Sequence, residues 1–334
     1  MNMRELYTAV KAELNRVDFN AIWPGWTKPV PFALVGKDQV YLDGREAPLG
    51  DGFWANTVIT YEGEMLATWI VENPAEEDIQ ILASNLVHEM FHGFQGAWEG
   101  RGANEMTLMR YPDDLTTYRI KAAEIKLLLR AYTKSDHDAL ADFISLRKSR
   151  AQLLGDVAAH EFWCETGEGT AEFAGLCALM QLSPEKFEKH INQNHLQTLS
   201  NPGEKLFSVR YMSYFTGAVL CLTLKKLGVD FYHLLGKDSS LFEVISMTDT
   251  IADSFSKYYA TKKAKFDDFL AANKNVIVKD AKLTGFDPMN MWRMGDQILC
   301  ARFVSLDGEG ITGPVMLNMV PGSDWQVESI IVKN

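Results

Sequence analysis

Two strand-like regions flank a long helical middle, and this order limits the fold more than any other feature of the sequence. Over residues 112–273 the apolar side chains recur at helical spacing, and Ser135, Ser183-Pro184 and Gly228 mark helix starts or ends. Residues 30–71 and 274–334 instead contain short apolar runs that are separated by turn residues, which is typical of strands. Segregated strands and helices predict an α+β fold.

The same patterns divide the chain into three parts. Residues 1–74 are predicted to form an N-terminal helix and a β-sheet, and residues 75–273 the helical part of the same domain. Residues 274–334 are predicted to form a small C-terminal β unit. A length of 334 residues is compatible with one large domain and a smaller partner.

Composition excludes several classes of protein. The formal net charge is −11, whereas a nucleic-acid-binding protein needs a basic surface. The most apolar stretch, 215–224, is about ten residues long and is followed by two lysines, so it is too short for a membrane span. The N-terminus has no apolar segment of a secretory signal, and the four cysteines are scattered. We therefore expect a cytoplasmic protein with buried thiols that binds neither nucleic acid nor membrane.

The segment from His88 to His92, with the sequence HEMFH, is an HExxH motif. We predict that its helix begins at Asn73-Pro74, a good cap followed by a proline suited to the first turn. Residues four apart share a helical face, so His88 and His92 can bind one zinc ion. Glu89 then lies beside the metal, where it can take a proton from water. The alternative is a chance match. The position of the capped helix after a hairpin, predicted for residues 56–61 and 65–71, argues against it.

A catalytic zinc usually has three protein ligands, so a third ligand is needed. A metzincin would have a histidine six residues after His92, but Trp98 occupies that position. Glu168 and Glu172 are one turn apart on a predicted helix, so one can bind zinc while the other holds a ligand histidine. Small residues keep this helix thin enough for close packing: Gly169, Ala171, Ala174 and Gly175. The alternative is a packing helix with two solvated carboxylates.

The HExxH motif and the downstream segment Glu168-Gly-Thr-Ala-Glu172-Phe resemble the gluzincin metallopeptidases, the thermolysin and aminopeptidase N group. The resemblance implies a zincin-like fold in which an N-terminal mixed sheet packs on a helical, zinc-bearing body. It also implies that Glu168 is the third zinc ligand and that Glu172 supports His88. The interval between His92 and Glu168 is far longer than in either family, and two predicted helices fill it.

Two further segments extend the resemblance. Tyr211-Met-Ser-Tyr214-Phe-Thr-Gly217 is similar to the aminopeptidase segment whose tyrosine hydrogen-bonds the tetrahedral intermediate. Tyr214 matches that tyrosine, Tyr211 is the second candidate, and a packing role is the alternative. Residues 52–56 occupy the place of the family's GxMEN segment, where Ala55 replaces the glutamate that binds the substrate's amine.

The remaining candidates carry no motif. Surface or packing roles are predicted for His160, His190, His195 and His233. Arg210, next to the tyrosines, could meet a substrate carboxylate, but it is interpreted as a residue of a structural salt bridge.

The sequence therefore predicts a zinc-dependent hydrolase that cleaves peptide bonds in peptide or protein substrates. His88, His92 and Glu168 would hold zinc, Glu89 would be the general base, and Tyr214 would donate to the oxyanion. Hydrolysis of another amide or ester at the same site is a second possibility. A third is a catalytically silent module with a zincin-like fold that binds a peptide or protein. The presence of Glu89 argues against that module, because a structural zinc needs no base there.

Overall fold

The computed structural model describes residues 1–50, 52–96, 98, 105–233, 235, 239–246, 250–273 and 275–332. Their contacts form two compact units, Met1–Met247 and Thr248–Asn334. The first unit contains most of the helices and a five-stranded sheet, and the second contains a helix and a seven-stranded sheet. The predicted α+β class is confirmed.

The helices of the first unit are α1 (Met3–Leu14), α2 (Phe19–Ile22), α3 (Ile79–Gln95), α4 (Glu105–Leu108), α5 (Leu115–Lys134), α6 (His137–Leu154), α7 (Asp156–Leu182), α8 (Pro184–His190), α9 (Gln197–Ser200), α10 (Val209–Lys226) and α11 (Leu241–Ser246). A π-helical segment, Ile191–Leu196, joins α8 to α9, and a 3-10 turn spans Gly203–Phe207. Ser135 adopts a left-handed conformation at the end of α5, and Gly228 does the same after α10. Both predicted helix ends are therefore confirmed.

Helix α3 begins later than the sequence predicts. Its first residue is Ile79, and the side chain of Asp78 accepts hydrogen bonds from two N–H groups of the first turn, at 3.1 and 3.2 Å. Asn73 instead caps a turn, where its side chain accepts from the backbone N–H of Ala75 at 3.1 Å. The predicted start at Asn73-Pro74 is wrong because Asp78 is an equally good cap and directly precedes the apolar face of the helix.

The sheet of the first unit is mixed. Its strands are β1 (Phe32–Val35), β2 (Gln39–Leu42), β3 (Arg45–Pro48), β4 (Thr57–Tyr61) and β5 (Glu64–Ile70), in the order β3-β2-β1-β5-β4. Strand β1 pairs parallel with β5 and antiparallel with β2, and β4 and β5 form the predicted hairpin. The sequence does not predict β3, which is short, polar and largely exposed. Strand β4 lies at an edge of the sheet.

Helix α7 packs closely on α3 and on α10 through glycines. A Cβ atom added to Gly175 would lie 2.8 Å from the carbonyl oxygen of Ser84 on α3, and the Ser84 hydroxyl donates to the Gly175 carbonyl at 2.9 Å. A Cβ atom added to Gly169 would collide with the Cα atom of Gly217 on α10. The close approach that the small residues predict is confirmed.

A buried ion network connects α5, α6 and α7. Its members are Lys121, Glu124, Arg147, Arg150, Glu161 and Glu165. Arg150 donates to both oxygens of Glu124, at 2.6 and 2.8 Å, and also pairs with Glu161. Arg147 bridges Glu124 and Glu165, at 3.2 and 2.5 Å. Each buried charge in the network therefore has an opposite partner, which offsets the cost of its desolvation.

The second unit contains α12 (Thr250–Ala272) and the strands β6 (Asn275–Phe286), β7 (Met291–Met294), β8 (Gln297–Cys300), β9 (Phe303–Leu306), β10 (Glu309–Thr312), β11 (Val315–Met319) and β12 (Gln326–Val332). Their order is β10-β9-β6-β12-β11-β8-β7, with antiparallel pairing. Phe266 and Phe269 of α12 pack on the sheet beside Met316. The sequence predicts that this unit begins at residue 274, whereas the contacts place α12 in the same unit as the sheet.

Two simpler features complete the description. All four cysteines are buried, as predicted. Among the described residues, none of the helices combines the length and the apolar character that crossing a membrane requires.

Candidate metal centre

Helices α3 and α7 bring the three predicted ligands together. The Nε2 atoms of His88 and His92 lie 3.2 Å apart. Oε2 of Glu168 lies 3.8 Å from Nε2 of His88 and 3.3 Å from Nε2 of His92. Ligand atoms bound tetrahedrally to one zinc ion at about 2.0–2.1 Å lie about 3.3–3.4 Å from each other. The separations of these three atoms therefore fit ligands that share one metal ion.

The other nitrogen of each imidazole is held in place. Nδ1 of His88 lies 2.9 Å from Oε2 of Glu172, and Nδ1 of His92 lies 2.7 Å from Oε1 of Gln95. The amide nitrogen of Gln95 donates to a backbone carbonyl and a hydroxyl of α7, at 2.8 and 2.7 Å, which fixes its oxygen toward His92. Both partners are acceptors, so each neutral ring carries its proton on Nδ1 and has a free lone pair on Nε2.

Glu168 is held in its ionised form. Its Oε1 accepts a hydrogen bond from Nη2 of Arg210 at 2.6 Å, while Oε2 faces the two histidines. Burial opposes ionisation of this carboxyl, but His92 and the charge of Arg210 outweigh burial and hold the pKa of Glu168 at about 2. A carboxylate that is ionised at neutral pH is suited to bind a cation.

Glu89 lies beside the same nitrogen atoms but in a different environment. One of its oxygens lies within 4.8 Å of a ring nitrogen of His88 and of His92, and its side chain is buried. Burial raises the pKa of Glu89 above its usual range. The carboxylate is therefore a stronger base than an exposed glutamate.

The three predicted ligands and Glu89 line a cavity of about 450 Å³. Tyr214 lines this cavity, and its ring stacks on the imidazole of His88 with centroids 5.8 Å apart and an interplanar angle of 9°. Burial and the neighbouring Glu168 raise the pKa of Tyr214, so the hydroxyl stays protonated and can donate a hydrogen bond. Tyr211, the other candidate, lines a separate cavity, where its ring packs on Phe215.

The beginning of strand β4 forms one wall of the cavity. Asn56 and Thr57 line it, and the side chain of Asn56 accepts from the backbone N–H of Ile70 at 2.8 Å. Ala55 is not among the described residues that line the cavity, and its carbonyl accepts from the hydroxyl of Thr68 at 2.9 Å. This wall is thus lined by the start of an edge strand, and Ala55 offers no carboxylate there for a substrate amine.

A second group with metal-binding potential lies behind His88 and consists of Glu172, His190 and His195. Oε1 of Glu172 lies 2.9 Å from Nε2 of His195. His190 pairs with the side-chain amide of Asn194 at 2.9 Å. The sequence gives His190 and His195 only surface or packing roles, because no motif or helical spacing links them to the HExxH segment.

Arg210 is the other residue whose position the sequence does not predict. It does form a salt bridge, as expected, but its partner is the carboxylate of Glu168, and it lines the cavity. None of the family models, curated proteins and solved structures that were compared with the chain matches it. We therefore infer its function from the residues of the site.

Proposed function

We propose that this protein is a zinc-dependent hydrolase of peptide bonds, a metallopeptidase of the gluzincin type with a zincin-like fold. His88, His92 and Glu168 would hold the zinc. The observation that carries the proposal is the convergence of their three ligand atoms at 3.2–3.8 Å, with Glu89 beside them in a cavity open to substrate. Two imidazoles and one carboxylate form a common ligand set of catalytic zinc.

Glu168, rather than Glu89, is the third ligand in this proposal. One oxygen of Glu89 lies within 4.8 Å of a ring nitrogen of each histidine, but Oε2 of Glu168 faces their Nε2 atoms at 3.8 and 3.3 Å, and Arg210 holds the other oxygen of Glu168 in place. The pKa values support the same division of roles. Glu168 has a pKa of about 2 and is an anion, whereas burial raises the pKa of Glu89 and makes it a base.

The protein's own residues provide the proton transfers. Zinc, when bound, supplies a Lewis acid that acidifies water and polarises a carbonyl group. Glu89 accepts a proton from the attacking water and passes it to the leaving amine. Its raised pKa suits both steps, because the carboxylate must first take the proton and then hold it until the amine departs.

The cavity also offers groups that bind the substrate. The hydroxyl of Tyr214 can donate to the oxyanion that develops from the scissile carbonyl. The edge strand β4 begins at the cavity wall, so an extended peptide can pair with its free edge through main-chain hydrogen bonds. Together these features support a peptide as the substrate.

The test compares the wild type with Glu89→Gln on one peptide library, read by mass spectrometry, with zinc assayed in the same samples. The substitution keeps the size of the side chain and removes its basicity. We expect about one zinc per chain in both proteins and cleavage slower by at least ~10²-fold in the variant. Absence of zinc from protein purified without chelators would refute the metal site.

Two other outcomes are informative. If both proteins bind zinc and the same peptides but the wild type cleaves none of them, the protein is a binding module. If the variant cleaves as fast as the wild type, Glu89 is not the base.

A further inference from the structure

A chain of hydrogen bonds leads from His88 to a buried histidine that the proposed mechanism does not use. Nδ1 of His88 and Oε2 of Glu172 are 2.9 Å apart, and Oε1 of Glu172 and Nε2 of His195 are also 2.9 Å apart. His195 is 1% exposed. The two oxygens of one carboxylate therefore join a proposed metal ligand to a side chain in the interior.

Each oxygen of Glu172 faces a ring nitrogen at 2.9 Å, Oε2 that of His88 and Oε1 that of His195. A carboxylate oxygen accepts hydrogen bonds, so both imidazoles can donate to Glu172. With one hydrogen bond alone, the carboxylate could rotate about its last side-chain bond. The second bond, from His195, fixes the plane of the carboxylate and directs Oε2 at His88.

The surroundings of His195 indicate that its polar group serves Glu172. Its other ring nitrogen, Nδ1, is buried and has no hydrogen-bond partner among the described residues. A buried unpaired acceptor costs free energy, so an apolar residue would fill this space at a lower cost if packing were the only role. The ring contacts of His195 with Phe215 and His190, at 5.2 and 5.6 Å between centroids, require no hydrogen-bonding group.

The backbone around His195 is irregular. His195 lies in the π-helical segment Ile191–Leu196, and it is one of the two buried residues of that segment, with Ile191. π-Helical turns are rare and often occur at functional sites. Here the irregular turn is the one that carries the donor to Glu172.

We infer that His195 is a positioning residue of the metal centre, which acts through Glu172 to fix the orientation and the Nδ1-protonated tautomer of His88 and thereby strengthens metal binding. The inference rests on the proposed function only in taking His88 as a metal ligand.

The experiment measures zinc affinity of the full-length protein by competition with a chromophoric chelator. We expect His195→Leu, which fills the space without a donor, to bind zinc about tenfold more weakly than the wild type. His195→Gln retains an N–H near the position of Nε2, so its affinity should stay near that of the wild type. His190→Gln is the matched control, because His190 neighbours His195 but pairs with Asn194, and it should leave the affinity unchanged.

A second comparison separates positioning from packing. Because His195 acts through Glu172, His195→Leu should weaken zinc binding little further in a Glu172→Gln background. If the melting temperature of the zinc-free protein falls in His195→Leu while zinc affinity stays at the wild-type value, His195 is a packing residue and the inference is wrong. If the wild type and His195→Leu bind zinc with equal affinity, only this inference is refuted. If the wild type binds no zinc, the proposed metal centre is refuted as well.

Discussion

Glu168 and Glu172 lie one helical turn apart on α7, yet their carboxylates meet different nitrogen atoms. Oε2 of Glu168 lies 3.3 Å from Nε2 of His92, on the side of the free lone pairs, whereas Oε2 of Glu172 lies 2.9 Å from Nδ1 of His88. One carboxylate can therefore bind the metal, and the other orients a ligand.

This difference predicts unequal effects of two matched substitutions. Glu168→Ala should largely abolish zinc retention, because it removes a ligand. Glu172→Ala should weaken zinc binding by ~10–100-fold, because it only releases the ring of His88. Zinc content after dialysis and chelator competition measure both effects. Negligible effects of both substitutions would return α7 to a packing role.

The sequence predicts part of this residue-level arrangement. The pair His88 and His92 is predictable because both lie on one turn of one helix, where spacing alone determines the face. The contacts of His195 and Arg210 with α7 instead connect residues 23 and 42 positions apart. No local periodicity encodes such contacts, since they depend on how the helices pack.

At the scale of elements, the approach of α7 to α3 determines whether the ligands can meet. Gly175 allows this approach, since an added Cβ would lie 2.8 Å from the backbone oxygen of Ser84 and 3.5 Å from Cβ of His88. Gly167 lies on the same helix, and an added Cβ there would meet no atom within 4 Å.

We expect Gly175→Ala to push the helices apart, lower the melting temperature and weaken zinc binding, because backbone atoms cannot give way as a flexible side chain can. Gly167→Ala should leave zinc affinity unchanged and raise stability by up to about 1 kcal/mol, since alanine favours helix more than glycine does. Thermal unfolding and zinc titration of the two variants check this. Equal behaviour of both variants would mean that the close contact does not position the ligands.

The ion network of α5, α6 and α7 predicts a stability that depends on pH. Burial opposes ionisation of Glu161, but the charges of Arg150 and Lys121 outweigh burial and lower its pKa well below the ordinary value of 4.5. A lowered pKa in the folded state means that the stabilisation is complete above about pH 4.5 and is lost as the pH falls toward the folded value.

Denaturant unfolding from pH 7 to pH 3 should therefore show a decreasing free energy of unfolding below about pH 4.5. Glu161→Gln should cost about 3–5 kcal/mol at pH 7, because it removes the carboxylate that pairs with the buried Lys121 and one of the two that pair with Arg150, and it should reduce the loss on acidification. The exposed pair of Arg130 and Asp136 provides a control, and Arg130→Met should change stability little at either pH. An unchanged pH profile in Glu161→Gln would contradict this account.

Predictions of the elements succeed where a signal is local. Ser135 and Gly228 end helices because the chain there adopts left-handed backbone conformations. The start of α3 is mispredicted because two capping residues, Asn73 and Asp78, compete within one short segment. Strand β3 has no alternating pattern, and it forms because β2 offers it a partner. The network of buried charges has no sequence signal either, because charged residues on helices normally face water.

At the scale of the whole molecule, the two units have separate hydrophobic cores. The core of the first unit surrounds α3, α7 and α10, and includes Leu86, Phe173 and Leu220. The second unit has its own core, which is formed by residues of its strands and includes Ile298 and Leu317. In a further cluster, Phe266 and Phe269 of α12 pack with Met316 of the sheet. The residues proposed to bind zinc and to act in catalysis all belong to the first unit.

We therefore expect residues 1–246 alone to fold and to bind zinc with the affinity of the full chain. The expectation follows because each proposed ligand, with Glu172, Gln95 and His195 behind it, is held by helices and a core of that unit. Residues 247–334 should fold as a separate β-rich unit without zinc. Circular dichroism and zinc titration of both fragments and of the full chain check this. A folded fragment 1–246 with weakened zinc binding would mean that the second unit contributes to the metal centre, whereas an unfolded fragment would mean that the first core is not sufficient without it.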